Sequence, residues 1–365
     1  MNRLQRLHAE FGQSPWLDNL KRGYITSGKL TGLVAEGVRG LTSNPTIFQK
    51  AIDGSADYDA QFSSLIKSHT SVEDAYWRMV MDDINSALDV FADVHAHSNG
   101  VDGFVSLEVS PTLAHDTAGT IAAARDLHSR IDRPNLMVKI PGTAQGIPAI
   151  QQMITDGRSI NVTLIFSLAR YAEVMESYVA GLEANPAQDL ANIQSVASFF
   201  VSRVDSEIDR RLDHIGTDAA LALRGKAAVA QAQAAYQMFL AKFSGPRWEA
   251  LAARGAAVQR PLWASTSTKN PSYPDLLYVD TLIGPNSVNT LPDATLAALL
   301  DHGALARTID AHPAAAQTVL EQVADVGVDL SNVAQVLESE GVASFDKSFA
   351  ELLGALGAKA AALDA

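Results

Sequence analysis

Lys139 stands in Leu136-Met137-Val138-Lys139-Ile140-Pro141-Gly142-Thr143, a run that is otherwise apolar up to Pro141. Lysine is seldom buried without a partner. An amine taken out of water holds its proton less tightly, and the neutral form can attack a carbonyl to give a Schiff base. The alternatives are a lysine that snorkels to the end of its strand, or one ion-paired with a neighbouring strand. Glu108, in Ser106-Leu107-Glu108-Val109, lies at the same depth of the preceding candidate strand. It is either the ion-pair partner of Lys139 or a general acid/base. Asn161 and Thr163 on the following candidate strand add hydrogen-bonding side chains, and ordinary strand polarity explains them equally well.

Other residues carry chemistry less sharply. Gly40-Leu41-Thr42-Ser43-Asn44-Pro45-Thr46-Ile47 follows a candidate strand, and helix capping by Asn44 ahead of Pro45 accounts for it as well as ligand binding does. Asp18, after Trp16-Leu17, also reads as a turn residue. Arg203 follows Ser198-Phe199-Phe200-Val201-Ser202 and falls in a first helical turn, where anions are favoured. Lys269 lies in the hydroxyl-rich loop Ser265-Thr266-Ser267-Thr268-Lys269-Asn270-Pro271. Taken singly, either cation reads as solvated surface charge. His95 and His97 stand two apart on a helix and do not share a face, so they do not make a metal site. No glycine-rich nucleotide-phosphate loop is present.

The elements that must position these groups alternate. Candidate strands fall at 16–18, 38–42, 102–109, 134–140, 159–164, 195–199, 260–265 and 276–281, with helix-period segments between them. Ser71 to Val94 carries Trp77, Val80, Ile84, Leu88 and Phe91 on one face, with Met81 and Ala87 in the same stripe and Ser71 as its cap. Ser167 opens another helix, and Asp293 to Asp301 reads as a third with an aspartate cap. Such alternation predicts a parallel sheet. The pleat chooses between an open sheet and a barrel. Leu136, Val138 and Ile140 share one face of their strand, opposite Asn135, Met137 and Lys139. An open sheet covered on both sides reads apolar on both faces. Here one face turns polar toward the strand's carboxyl end, as at the mouth of a barrel. The expectation is α/β: a single (β/α)8 TIM barrel domain over residues 1–365, with 293–365 mainly additional closing helices.

Composition bounds the rest. The chain has 365 residues, 47% of them apolar, enough for a large core without staples. It has no cysteine, which excludes disulfides, thiolate metal sites and a thiol nucleophile. Its net charge of −13, from 41 acidic and 28 basic residues, argues against nucleic-acid binding. An anionic ligand therefore needs a locally basic site. No apolar stretch reaches the roughly 18 residues of a membrane span. Met1 to Glu10 lacks a signal-peptide core, so a cytoplasmic protein is expected. Nothing in the sequence reports the oligomeric state.

The segments around Leu41–Ile47 and Val138–Thr143 resemble the two signature regions of the transaldolase family. Ser106-Leu107-Glu108-Val109, Asn161-Val162-Thr163-Leu164-Ile165-Phe166-Ser167 and Ser198-Phe199-Phe200-Val201-Ser202-Arg203 are similar to its third, fifth and sixth strand ends, in order. The resemblance runs from about Trp16 to Asp280, and the length resembles the longer bacterial subgroup. It implies a (β/α)8 barrel that moves a dihydroxyacetone unit between sugar phosphates in the pentose phosphate pathway, with no metal or organic cofactor. It implies Lys139 as the Schiff-base lysine, Glu108 and Thr163 as positioners of the proton-shuttling water, and Asp18 as the base at carbon–carbon cleavage. Asn44 and Asn161 would bind the dihydroxyacetone hydroxyls, with Thr42 in the same substrate-binding set. Ser198 and Arg203 would hold phosphate. Lys269 is the nearest basic residue to where the family commonly has a second arginine, and a lysine lacks arginine's bidentate fork.

Two competing readings follow. A fructose-6-phosphate aldolase of the same superfamily shares the lysine but releases dihydroxyacetone. In such relatives the position of Glu108 tends to be an amide and that of Phe200 a tyrosine, so the residues here favour transfer. Pleat alternation from Ser198 turns Phe200 to the lumen, where its ring excludes water. The other competitor is a non-catalytic barrel that binds a sugar phosphate or a protein partner, with Lys139 inert against Glu108.

Overall fold

Eight strands, β1 (Gln13–Leu17), β2 (Leu41–Thr42), β3 (Val105–Glu108), β4 (Leu136–Pro141), β5 (Ile160–Ile165), β6 (Ser195–Phe200), β7 (Arg260–Ala264) and β8 (Ser287–Leu291), close into a barrel in sequence order. Every pair is parallel, and β8 returns to β1 through Gln13↔Ser287 to Leu17↔Leu291. The computed structural model describes residues 1–363; residues 364 and 365, the end of the span read as closing helices, lie outside the described residues. No helix among the described residues is long and apolar enough to cross a membrane.

Helices pack outside the barrel for the reason their periodicity gives. The helix Val72–His97 buries Val80, Met81, Ile84, Ala87, Leu88 and Phe91, and Ser71 caps it by accepting from the Asp74 amide. Ser167 caps Leu168–Ala184 in the same way, through the Arg170 amide. After β8 come Asp293–His302, Pro313–Asp325 and the long Leu330–Leu363. The amino-terminal end of the barrel is plugged by polar groups. Asp102, fully buried, accepts from Ser14 at 2.8 Å, from Arg39 at 2.7 Å and from both terminal nitrogens of Arg260 at 3.1 Å.

Three expectations are corrected. The segment 276–281 is not a strand: Leu277–Asp280 forms a helical turn that buries Tyr278 and Val279. A short apolar run reads alike as strand or buried helix. The eighth strand lies further on, at Ser287–Leu291. Its polar residues hid it, because Ser287 and Asn289 are completely buried and hydrogen-bonded, Ser287 to Gln13 and Gly284, Asn289 to Thr266 and Tyr278. Asp293 is not a helix cap. Pro292 occupies the capping position, and Asp293 instead accepts from Asn19 at 2.5 Å and Tyr24 at 2.7 Å. The strand expected over 38–42 narrows to Leu41–Thr42.

Candidate active site

Register places the polar groups. Glu108, the last residue of β3, pairs with Lys139 of β4, which pairs in turn with Asn161 of β5. Glu108 and Lys139 are 3% and 4% exposed, and their side chains meet at 3.2 Å. The Lys139 ammonium also donates to the carbonyl of Ser43 at 3.0 Å. Burial pushes the Glu108 carboxyl above the usual carboxylate range, and the attraction of Lys139 only partly offsets it. A carboxylate so placed accepts a proton readily, and the Lys139 amine lies beside it.

Lys139 opens into a cavity of about 120 Å³ at the carboxyl ends of the strands. Asp18, Thr42, Asn44, Thr163, Ser198, Phe200, Arg203 and Lys269 line it too. Asp18, just after β1, accepts from Thr42 at 2.8 Å. Burial raises the Asp18 carboxyl above its ordinary value, against the pull of Lys139, the Thr42 hydroxyl, Arg203 and Lys269. Three cations thus face one carboxylate, and the mouth is locally basic despite the acidic chain. Lys269, at the exposed rim, donates to Ser267 at 2.7 Å, and partial desolvation, with Arg203 and Lys50 close by, makes it less willing to hold its proton. Thr163 has a buried hydroxyl with no hydrogen-bond partner among the described residues. The next residue, Leu164, has φ 59°, in the left-handed region, and the register of β5 on β6 shifts between Val162 and Ile165. Backbone strain in a leucine at this point marks the end of β5 as specially shaped.

Not every named residue lines the cavity. Asn161 lies beneath it: its amide donates to Ser106 at 3.0 Å, and its carbonyl accepts from Ser198 at 2.7 Å. Glu108 is reached through Lys139 and through a narrow void beside Tyr76 and Phe349. Asn44 serves two ends at once, since its carbonyl caps the helix Pro45–Asp53 through the Ile47 amide while the residue faces the cavity.

The cavity also holds residues that sequence reasoning missed. Thr290 of β8 shares a hydrogen bond of 2.7 Å with Thr42, and was missed with its strand. Ser265 and Ser267 were visible only as a hydroxyl-rich loop. Phe345 comes from the last helix, Leu330–Leu363, where with Phe349 one turn on it looks like any core residue. The arrangement suits imine chemistry on an anionic carbonyl substrate: an enclosed amine, two carboxylates that favour protonation, and a basic rim.

Residues 15–356 match the family described as Transaldolase/Fructose-6-phosphate aldolase. The chain is 50% identical over 349 residues to a transaldolase of Saccharopolyspora erythraea, covering 94% of each protein. It is 51% identical over 354 residues to one of Thermobifida fusca, covering 96% of each. Against one of Mycolicibacterium smegmatis it is 50% identical over 348 residues, 94% of each.

Proposed function

The chain belongs to the transaldolase/fructose-6-phosphate aldolase family, and from that premise we propose that it is a transaldolase of the pentose phosphate pathway, acting in the cytoplasm as a single barrel domain. It moves a dihydroxyacetone unit from sedoheptulose 7-phosphate or fructose 6-phosphate to an aldose phosphate. The observation that carries this reading is the Lys139 amine, buried against Glu108 in the same cavity that Asp18, Arg203 and Lys269 line.

The residues divide the work. The neutral Lys139 amine adds to the ketose carbonyl, and the carbinolamine loses water to leave a protonated imine. Glu108, with its raised carboxyl pKa and its contact with Lys139, takes and returns the protons of these steps, and Thr163 orders the water. Asp18 then removes the proton from the hydroxyl on the far side of the bond to be broken. The carbon–carbon bond breaks, its electron pair moves into the imine, and an aldehyde departs. The enamine left on Lys139 attacks the carbonyl of the incoming aldehyde, Asp18 gives its proton to the new hydroxyl, and hydrolysis frees the product. Thr42 and Asn44 bind hydroxyls of the three-carbon unit. Asn161 acts from below by fixing Ser198. Arg203, Ser198 and Lys269 hold the phosphate, the arginine as a fork and the lysine as a point charge.

Transfer requires the enamine to outlast its wait for an aldehyde, so water must be kept from it. Phe200, 7% exposed and against Phe166 at 5.1 Å, supplies an apolar wall of the cavity. Fructose 6-phosphate alone is therefore expected to yield little free dihydroxyacetone, and added erythrose 4-phosphate to bring rapid conversion to sedoheptulose 7-phosphate. Cleavage as fast without acceptor as with it identifies an aldolase instead.

A further inference from the structure

Arg203 is a partly buried cation held without a carboxylate contact. Among the described residues its guanidinium has no hydrogen-bond or ion-pair partner, and Asp18, Glu108 and Glu340 act on it only through space. Two aromatic rings flank it instead. Its central carbon lies 5.3 Å from the centroid of Phe200 and 5.9 Å from that of Phe345. Both rings line the same cavity and are nearly buried, at 7% and 4% exposure. A ring face attracts a cation without consuming any of the five N–H donors of the guanidinium. A carboxylate in the same place would compete with an anionic ligand for those donors.

The two rings come from distant parts of the chain. Phe200 ends β6, next to the helix that carries Arg203. Phe345 sits on Leu330–Leu363, which is anchored without help from Arg203. Ser348 shares a hydrogen bond of 2.8 Å with Thr46, and Phe349 packs on Tyr76 at 5.4 Å between ring centroids. Gly341 brings the helix onto the end of β5, where an added Cβ would meet Leu164 Cδ2 at 3.0 Å. The second ring is therefore set in place before any ligand arrives.

We propose that Phe345 is a positioning residue for phosphate recognition: with Phe200 it clamps the Arg203 guanidinium in the cavity and leaves its donors free for the substrate's phosphate. This rests on the reading of Arg203 as the phosphate anchor. The clamp acts by ordering a long side chain in advance, so that binding does not have to. It should therefore affect how tightly phosphate is held and not the imine chemistry. It also gives the last helix a part in substrate binding beyond closing the barrel.

The test compares Phe345→Leu, Phe345→Tyr and Arg203→Ala in steady-state transfer from fructose 6-phosphate to erythrose 4-phosphate, with inorganic phosphate as competitive inhibitor. Phe345→Leu keeps apolar bulk but loses the ring face. It should raise KM for fructose 6-phosphate and the inhibition constant for phosphate together by about fivefold, with kcat held within about twofold. Phe345→Tyr keeps the ring and should stay near the parent in both constants. If Phe345→Leu does not fold, Phe345→Met carries the same expectation. Unchanged KM and inhibition constants in the ringless variant overturn the clamp, as does an equal loss in Phe345→Tyr or a fall in kcat without a rise in either constant. Arg203→Ala separates the two readings: if it leaves phosphate inhibition unchanged, the assignment of Arg203 to phosphate fails, whatever Phe345 does.

Discussion

Glu108→Gln removes one charge from a buried pair and leaves the shape of the site almost intact. The partners meet at 3.2 Å with side chains 5% and 2% exposed, so water screens them little. At an effective dielectric of about 20, two unit charges at that distance attract by roughly 5 kcal/mol. The net effect of removing one partner is about 3–5 kcal/mol, because the other charge stays buried without compensation. In the variant the Lys139 ammonium keeps neutral acceptors, the Ser43 carbonyl and the introduced amide oxygen, but loses the countercharge it touches. Urea denaturation at neutral pH should show that loss, and Glu108→Gln combined with Lys139→Met should recover most of it. Catalysis should not recover. Glu108 is the one carboxyl among the described residues that is ion-paired with Lys139; without it kcat should fall by about 10²–10⁴-fold, the usual worth of a general acid/base. A Glu108→Gln protein within about 1 kcal/mol of the parent and within about fivefold of its kcat would refute the account of this pair.

Asp18→Asn should abolish cleavage while leaving imine formation with fructose 6-phosphate, read by borohydride trapping. In the parent, because burial raises the Asp18 carboxyl, activity should fail on acidification at a pH above the ordinary aspartate range, where the base becomes protonated. Phe200→Tyr adds one hydroxyl to the water-excluding wall, and a hydrogen bond of about 0.5–1.5 kcal/mol should raise dihydroxyacetone release relative to transfer by roughly 2–10-fold. At the other end of the barrel, burial acts to raise Asp102, but Arg260 and Arg39 outweigh it and hold the carboxyl at about 2. Its contribution to stability should be complete above the unfolded value of 3.8 and vanish as pH falls through about 2, a dependence that Asp102→Asn should flatten in acid denaturation.

The parts of the site legible in the sequence were those that broke a pattern. Lys139 was conspicuous because its neighbours on β4 are all apolar, and Glu108 because it ends a strand at the matching depth. Pleat alternation also put Ser198 and Phe200 on one face, and both line the cavity. What stayed hidden was set by partners distant in the chain. β8 looked too polar to be a buried strand because Thr266 and Tyr278, which satisfy Asn289, cannot be seen from its own residues. The 276–281 run looked like a strand because its buried side chains are apolar, although Tyr278 turns its hydroxyl to Asp205 at 2.8 Å from a helical turn. Phe345 carried no signal at all, since its meaning lies in the arginine it covers. Asn161 reads as a lumen residue, and what its own strand does not show is that its amide is already engaged by Ser106 and Ser198.

The central claim is that the Lys139 amine carries the substrate. Incubation with fructose 6-phosphate and borohydride, followed by peptide mass mapping, should place a reduced three-carbon adduct on the peptide containing Lys139. Lys139→Arg should form no adduct and show no transfer. An adduct on another lysine, or transfer that persists in Lys139→Arg, would contradict the account.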